Sequence, residues 1–372
     1  MNTSKRIGIL TLPLEKNTGG ILQAYALQSY IELQGVPAEV INYRSWKHSK
    51  QYRRFKQAAI GIALLARTRR VGTRGVAESF KENQNFIDQY VNLTGPIYTK
   101  RKLEKVISQR YTHVIIGSDQ VWRPDYAHNA RVYFGDMKLD DGVKISTYAA
   151  SFGHHYHHKL FSDPKIVKSV KNLEQISVRE SQGVSLSKQV FDIQAHHVVD
   201  PTLLLGASKY EALLASDNSC EAVQPRILKY VLDNEVLASR IEKKFSEKFE
   251  NSISETLRGT PTGAVNSEGR KVSPVDWLSE FRRASFVVTD SFHGMIFAFI
   301  FKKNFIVLKN RTRGADRFDS FLEKCGLRDR LISDYSSAEV TRLIHTSIDY
   351  DSAGNRISGL IEQSKSFLRN VI

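Results

Sequence analysis

His293 lies in the run Thr289-Asp290-Ser291-Phe292-His293-Gly294, where a strand pattern gives way to a helix pattern. An imidazole at a helix N-terminus can act as an acid, a base or an anion ligand. Asp290 and Ser291 add a carboxylate and a hydroxyl to the same loop. A second cluster, Gly117-Ser118-Asp119-Gln120-Val121-Trp122, puts a carboxylate, an amide and an indole together. That set suits a sugar: Asp119 and Gln120 bind hydroxyls while Trp122 stacks on an apolar ring face. Arg179, in Ser177-Val178-Arg179-Glu180-Ser181, offers a planar fork for a carboxylate or phosphate. Asn17-Thr18-Gly19-Gly20 opens a helix, and its free N–H groups favour an anion or a sugar hydroxyl. Arg311, Arg313 and Arg317 share one late loop suited to anions. Asp200-Pro201-Thr202 has the character of a sharp structural stop after a strand. His154, His155, His157 and His158 form a tract without carboxylate–His spacing, so no metal is expected.

Alternating strands and helices must position these loops. Residues 6–11 (RIGILT) predict a buried strand, 19–33 a helix stopped by Gly35, and 39–43 a second strand. A helix over 77–90 and strands over 112–116 and 144–149 follow. The alternation restarts with short strands at 176–178 and 197–199, a longer one at 226–232 and a helix at 235–249. Ser273, Pro274 and Asp276 form a helix start, ahead of strands at 286–289 and 305–308. Two such series predict two doubly wound, Rossmann-like α/β domains facing across a cleft. The expected bounds are 1–160 and 161–350, with 351–372 a helix returning to the first domain. In open sheets of this kind ligands bind beyond the carboxyl ends of strands, where the loops above fall.

The 372 residues suit two cores rather than one. Cys220 and Cys325 form no pair that suggests a disulfide framework or a thiolate metal site. The opening MNTSKRIGILTL reads as a strand rather than a signal peptide, and no apolar run is long enough to span a bilayer. The expected place is therefore the cytoplasm. A net charge of +15 favours anionic partners. No acidic residue falls between Glu39 and Glu78, whereas Arg44, Lys47, Arg53, Arg54 and Arg74 flank the apolar AAIGIALLA. Residues 44–74 thus resemble an interfacial helix that would touch anionic lipid at the inner membrane face. Basic and aromatic residues are not interleaved on strands, so nucleic acid is not an expected partner.

NTGGILQAYALQ, GSDQVW with YAASFG, ISVRESQG, DPTLLL and TDSFHG occur in that order. Together they resemble the polysaccharide pyruvyl transferase family. The resemblance runs from about Gly8 to Leu331. It implies a glycosyltransferase-like (GT-B-like) pair of domains with the site between them. It also implies phosphoenolpyruvate as co-substrate, no other cofactor, and a sugar diol as acceptor, free or lipid-linked, that becomes a pyruvate ketal. On this basis His293, Asp119 and Asp290 are the expected catalytic groups. Arg179, Ser291, Arg313 and Arg317 would hold the donor, and Asn17, Gly19, Gly20, Gln120 and Trp122 the acceptor. Some members carry an arginine where Ser291 stands, so Arg313 or Arg317 would supply that contact here. A nucleotide-sugar glycosyltransferase on the same architecture is the alternative.

Overall fold

A computed structural model of the chain describes residues 5–45, 81–153, 159–214, 224–260, 263–310, 314 and 316–372. Arg313, the 154–158 histidines and all but the first two residues of 44–74 lie outside them.

The first sheet is parallel, in the order β2-β1-β3-β4. Its strands are β1 (Ile7–Leu10), β2 (Ala38–Val40), β3 (His113–Ile116) and β4 (Lys144–Thr147). β1, β2 and β3 are buried along their whole length, the mark of a sheet covered on both faces. The next two strands, β5 (Ser177–Val178) and β6 (His196–His197), pair in parallel with each other. Sequence alternation assigned them to the second domain. They form a two-stranded sheet of their own that abuts the first: Ala150 bridges both Asp119 and Val178, and the Ala150 N–H donates to Ser177 O at 3.2 Å.

The second sheet begins at β7 (Arg226–Val231) and runs β12-β11-β10-β7-β8-β9. It comprises β8 (Ile253–Thr260), β9 (Gly263–Val265), β10 (Phe286–Thr289), β11 (Asn304–Leu308) and β12 (Leu331–Ile332). All pairings are parallel except β8 with β9. The hairpin escaped sequence reading because β8, ISETLRGT, is mostly half-exposed and carries no apolar run.

Two helices set the site. Thr18–Leu33 follows β1 and Phe292–Ile300 follows β10. Phe292–Ile300 is buried on nearly every face, as an all-round apolar helix must be. One apolar cluster joins these helices to facing surfaces of both sheets, while separate clusters cover the two outer faces. The closing helix Tyr350–Val371 touches the first sheet: its Ser364 hydroxyl accepts from Val199 N–H at 2.9 Å, and Phe367 packs on Tyr148. No helix among the described residues is long and apolar enough to cross a membrane.

Candidate active site

The strand-end loops converge on a cleft of about 830 Å³ between the two sheets. Asn17, Thr18, Gly20, Asp119 and Gln120 line it from the first lobe, and Ser291, Phe292, His293 and Arg317 from the second. The two central helices meet here at their N-termini. A Cβ on Gly19 would stand 2.2 Å from His293 Nδ1. Only glycine lets the first turn of Thr18–Leu33 approach the imidazole so closely, and Gly19 itself does not line the cleft.

His293 is buried, and its Nε2 has no hydrogen-bond partner among the described residues. Nε2 lies 3.6 Å from Asp200 Oδ2, an ion-pair contact longer than a hydrogen bond. Asp200 is held in turn by Arg179, whose Nη1 donates to the same oxygen at 2.8 Å. The Thr202 N–H and hydroxyl donate to Asp200 Oδ1. Burial alone would raise the Asp200 carboxyl. His293, Arg179 and the Thr202 amide outweigh it and hold the group well below the usual carboxylate range. The structure therefore corrects the reading of Asp200 as a simple strand stop.

Arg179 also departs from expectation. It is buried, does not line the cleft, and spends its guanidinium on carboxylates. Nη2 donates to Asp119 Oδ1 at 3.4 Å, and Nε lies 3.7 Å from Glu180 Oε1. Its Cζ lies 4.5 Å above the Phe292 ring, over which Arg317 Cζ also stands at 5.3 Å. Burial, then the neighbouring Arg179 charge, pulls Arg317 down to about 10, so it stays cationic at neutral pH. Asp119 faces the cleft from a left-handed backbone position (φ 75°) that aspartate tolerates. Its Oδ2 accepts from Asn17 Nδ2 at 3.3 Å.

Two other expectations move out of the site. Asp290 does not line the cleft. Its carboxylate accepts from the N–H groups of Leu232, Asp233 and Asn234 at 2.6, 2.9 and 3.0 Å, and from Asn234 and Asn310 side chains. It ties the β7 loop to the β10 loop. Trp122 is fully buried: its indole N–H donates to Tyr133 O at 2.8 Å and its ring packs on Phe134 and Phe152. Ser291 lines the cleft and caps its helix by accepting from Gly294 N–H. Gln120 lines it while accepting from Arg123 Nη1 at 3.0 Å. Lys16, Tyr126, Tyr230, Asp233 and Thr260 also line it. Asp233 follows the strand at 226–232 and was open to the strand-end rule, whereas Tyr126, Tyr230 and Thr260 carry no such signal.

The profile of the polysaccharide pyruvyl transferase family matches residues 17–312, most of the chain. The chain belongs to that family. This family member is thus an enzyme of the transferase class, and its cleft contains Asp119 and His293, both within the matched stretch. No curated protein matches the sequence. Among solved structures it is similar to a Listeria monocytogenes protein described as a UDP-N-acetylglucosamine 2-epimerase, at 11% identity and TM-score 0.55, over 96% of each chain. It is also similar to UDP-GlcNAc 2-epimerase of Methanocaldococcus jannaschii, at 13% identity and TM-score 0.49, over 96% of this chain and 99% of that one. A spinosyn rhamnosyltransferase aligns at 12% identity and TM-score 0.43, over 98% and 96%. The first likeness bears on fold alone, and the other two carry no further argument. The fold is the GT-B-like pair of facing Rossmann-like domains.

Proposed function

We propose that the protein transfers the pyruvyl unit of phosphoenolpyruvate to a sugar diol, forming a pyruvate ketal. The observation that carries this reading is His293 at the cleft, backed by the buried Asp200–Arg179 pair. Ketal formation starts with a proton delivered to the methylene carbon of the donor. The His293 imidazole, oriented by the Asp200 carboxylate 3.6 Å from its Nε2, is the group that supplies that proton. C2 becomes cationic and the first sugar hydroxyl attacks it, losing its proton to Asp119. The C2–O bond to phosphate then breaks, the second hydroxyl closes the ring, and its proton leaves with inorganic phosphate.

Three carboxylates, Asp119, Glu180 and Asp200, surround the two guanidinium groups of Arg179 and Arg317. Arg179 therefore adds little positive field to the cleft. The donor's anionic groups are met by Arg317, Lys16 and the first turn of Thr18–Leu33. That turn has no side-chain cap, and the buried Thr18 Oγ1 has no hydrogen-bond partner among the described residues.

The test is release of inorganic phosphate from phosphoenolpyruvate across a panel of glycan acceptors, with the product's ketal methyl read by proton NMR. Acceptor-dependent release with that methyl signal is expected. No release from any acceptor, together with a melting temperature raised by a sugar nucleotide but not by phosphoenolpyruvate, would replace this reading with glycosyl transfer.

A further inference from the structure

We infer that Tyr126 is the platform on which the acceptor sugar stacks. The inference rests on the pyruvyl-transfer reading for the acceptor's identity as a sugar, and on the geometry for the position. A sugar ring has polar edges and an apolar C–H face, and a fixed aromatic face in a cleft is its natural complement. Sequence pattern offered Trp122 for this task, but that ring is fully enclosed. Four residues later Tyr126 closes the short Pro124–Tyr126 turn and lines the cleft, with 44% of its surface exposed. It is the one aromatic among the large, exposed apolar side chains of the described residues.

The ring is braced from one side. Arg123 Cζ lies 3.9 Å from the Tyr126 centroid. Arg123 is itself buried, and its Nη1 is anchored on Gln120 Oε1 at 3.0 Å. The brace is packed tightly: a Cβ on Gly153 would come within 2.7 Å of Gln120 Oε1 and 3.1 Å of Arg123 Cδ. A ring so backed loses little freedom when a ligand covers its other face. The second lobe contributes Gly259, Thr260, Gly263 and Ala264 to the same cleft, small residues that leave room for a flat ring. Asp119, on the loop that ends at Tyr126, lines the cleft as well. The hydroxyl to be activated and the stacked face are therefore served by one segment of chain. The class of ligand that fits is a neutral pyranose with a continuous C–H face.

The experiment measures binding of methyl glycosides of galactose, glucose and mannose by saturation-transfer NMR, without phosphoenolpyruvate, to the wild-type protein, Tyr126→Ala and Tyr126→Phe. At least one glycoside should bind the wild type, with about tenfold weaker binding to Tyr126→Ala and binding within about twofold of wild type to Tyr126→Phe. Unchanged binding to Tyr126→Ala, equal loss in both variants, or no binding of any glycoside by the wild type would overturn the platform. Weakened binding in Tyr126→Ala by a protein that releases no phosphate from phosphoenolpyruvate would keep the platform and remove the pyruvyl reading. Normal phosphate release and acceptor KM in Tyr126→Ala would do the reverse.

Discussion

Asp290 and His293 stand three residues apart in one loop, both are buried, and they have opposite hydrogen-bonding states. Asp290 is saturated by backbone and side-chain N–H groups of the neighbouring loops. His293 lines the cleft, while its Nε2 is enclosed 3.6 Å from Asp200 Oδ2 without a hydrogen-bond partner among the described residues. The first-lobe motif divides differently: Trp122 is enclosed and bonded, while Asp119 lines the cleft although Asn17 and Arg179 both donate to it. A buried polar group that is fully bonded is holding structure. One left unbonded beside a cleft is not accounted for by the fold's own hydrogen bonds. Residue type alone cannot separate these two cases.

The contrast is broken or sharpened most strongly at His293. His293→Ala should lower phosphate release from phosphoenolpyruvate by about a thousandfold or more, in the range general acids supply. Its thermal melt should stay close to wild type, because Asp200 keeps Arg179 and Thr202. Near-normal turnover in that variant would remove the acid from the mechanism.

Asp290→Ala should do the opposite. The loops it ties would keep their N–H groups without an acceptor, at a cost of about 3 kcal/mol. Urea unfolding is the measurement. A variant as stable as wild type but inactive would return Asp290 to the catalytic group.

The smallest effect concerns pH. The folded Asp200 carboxyl lies below its ordinary value, so its stabilisation is full above the unfolded pKa of about 4 and fades as pH falls below it. The stability gap between wild type and Asp200→Asn should therefore narrow by on the order of 1 kcal/mol between pH 6 and pH 3. A gap that widens on acidification would mean that the carboxyl is not held ionised by His293 and Arg179.

Much of the frame was legible in the chain. Phe286–Thr289 lies where the apolar run and flanking turns put it, and the Ser273 cap accepts from Asp276 N–H as its motif implies. Asn17, Gly20, Asp119, Gln120, Ser291, His293 and Arg317 all line one cleft, as their strand-end positions implied. That β5 and β6 form a small sheet of their own against the first was not legible, because strand pattern encodes burial and not partnership. They pair with each other, and bridges at Ala150 and backbone hydrogen bonds such as Thr147 N–H to Gln175 O link them to the first sheet.

The linear order of residues determined two runs of strand and helix, the loops between them and the chemistry those loops carry, because periodicity and capping are local properties. Tertiary structure alone decided which of those side chains turn inward. Asp200 became the partner of His293, Arg179 was drawn into a cluster of carboxylates, and Tyr126 took the exposed position that Trp122 could not. The physical reason is that an ion pair or a ring face is completed by groups far away in the chain, and only packing brings those groups within reach.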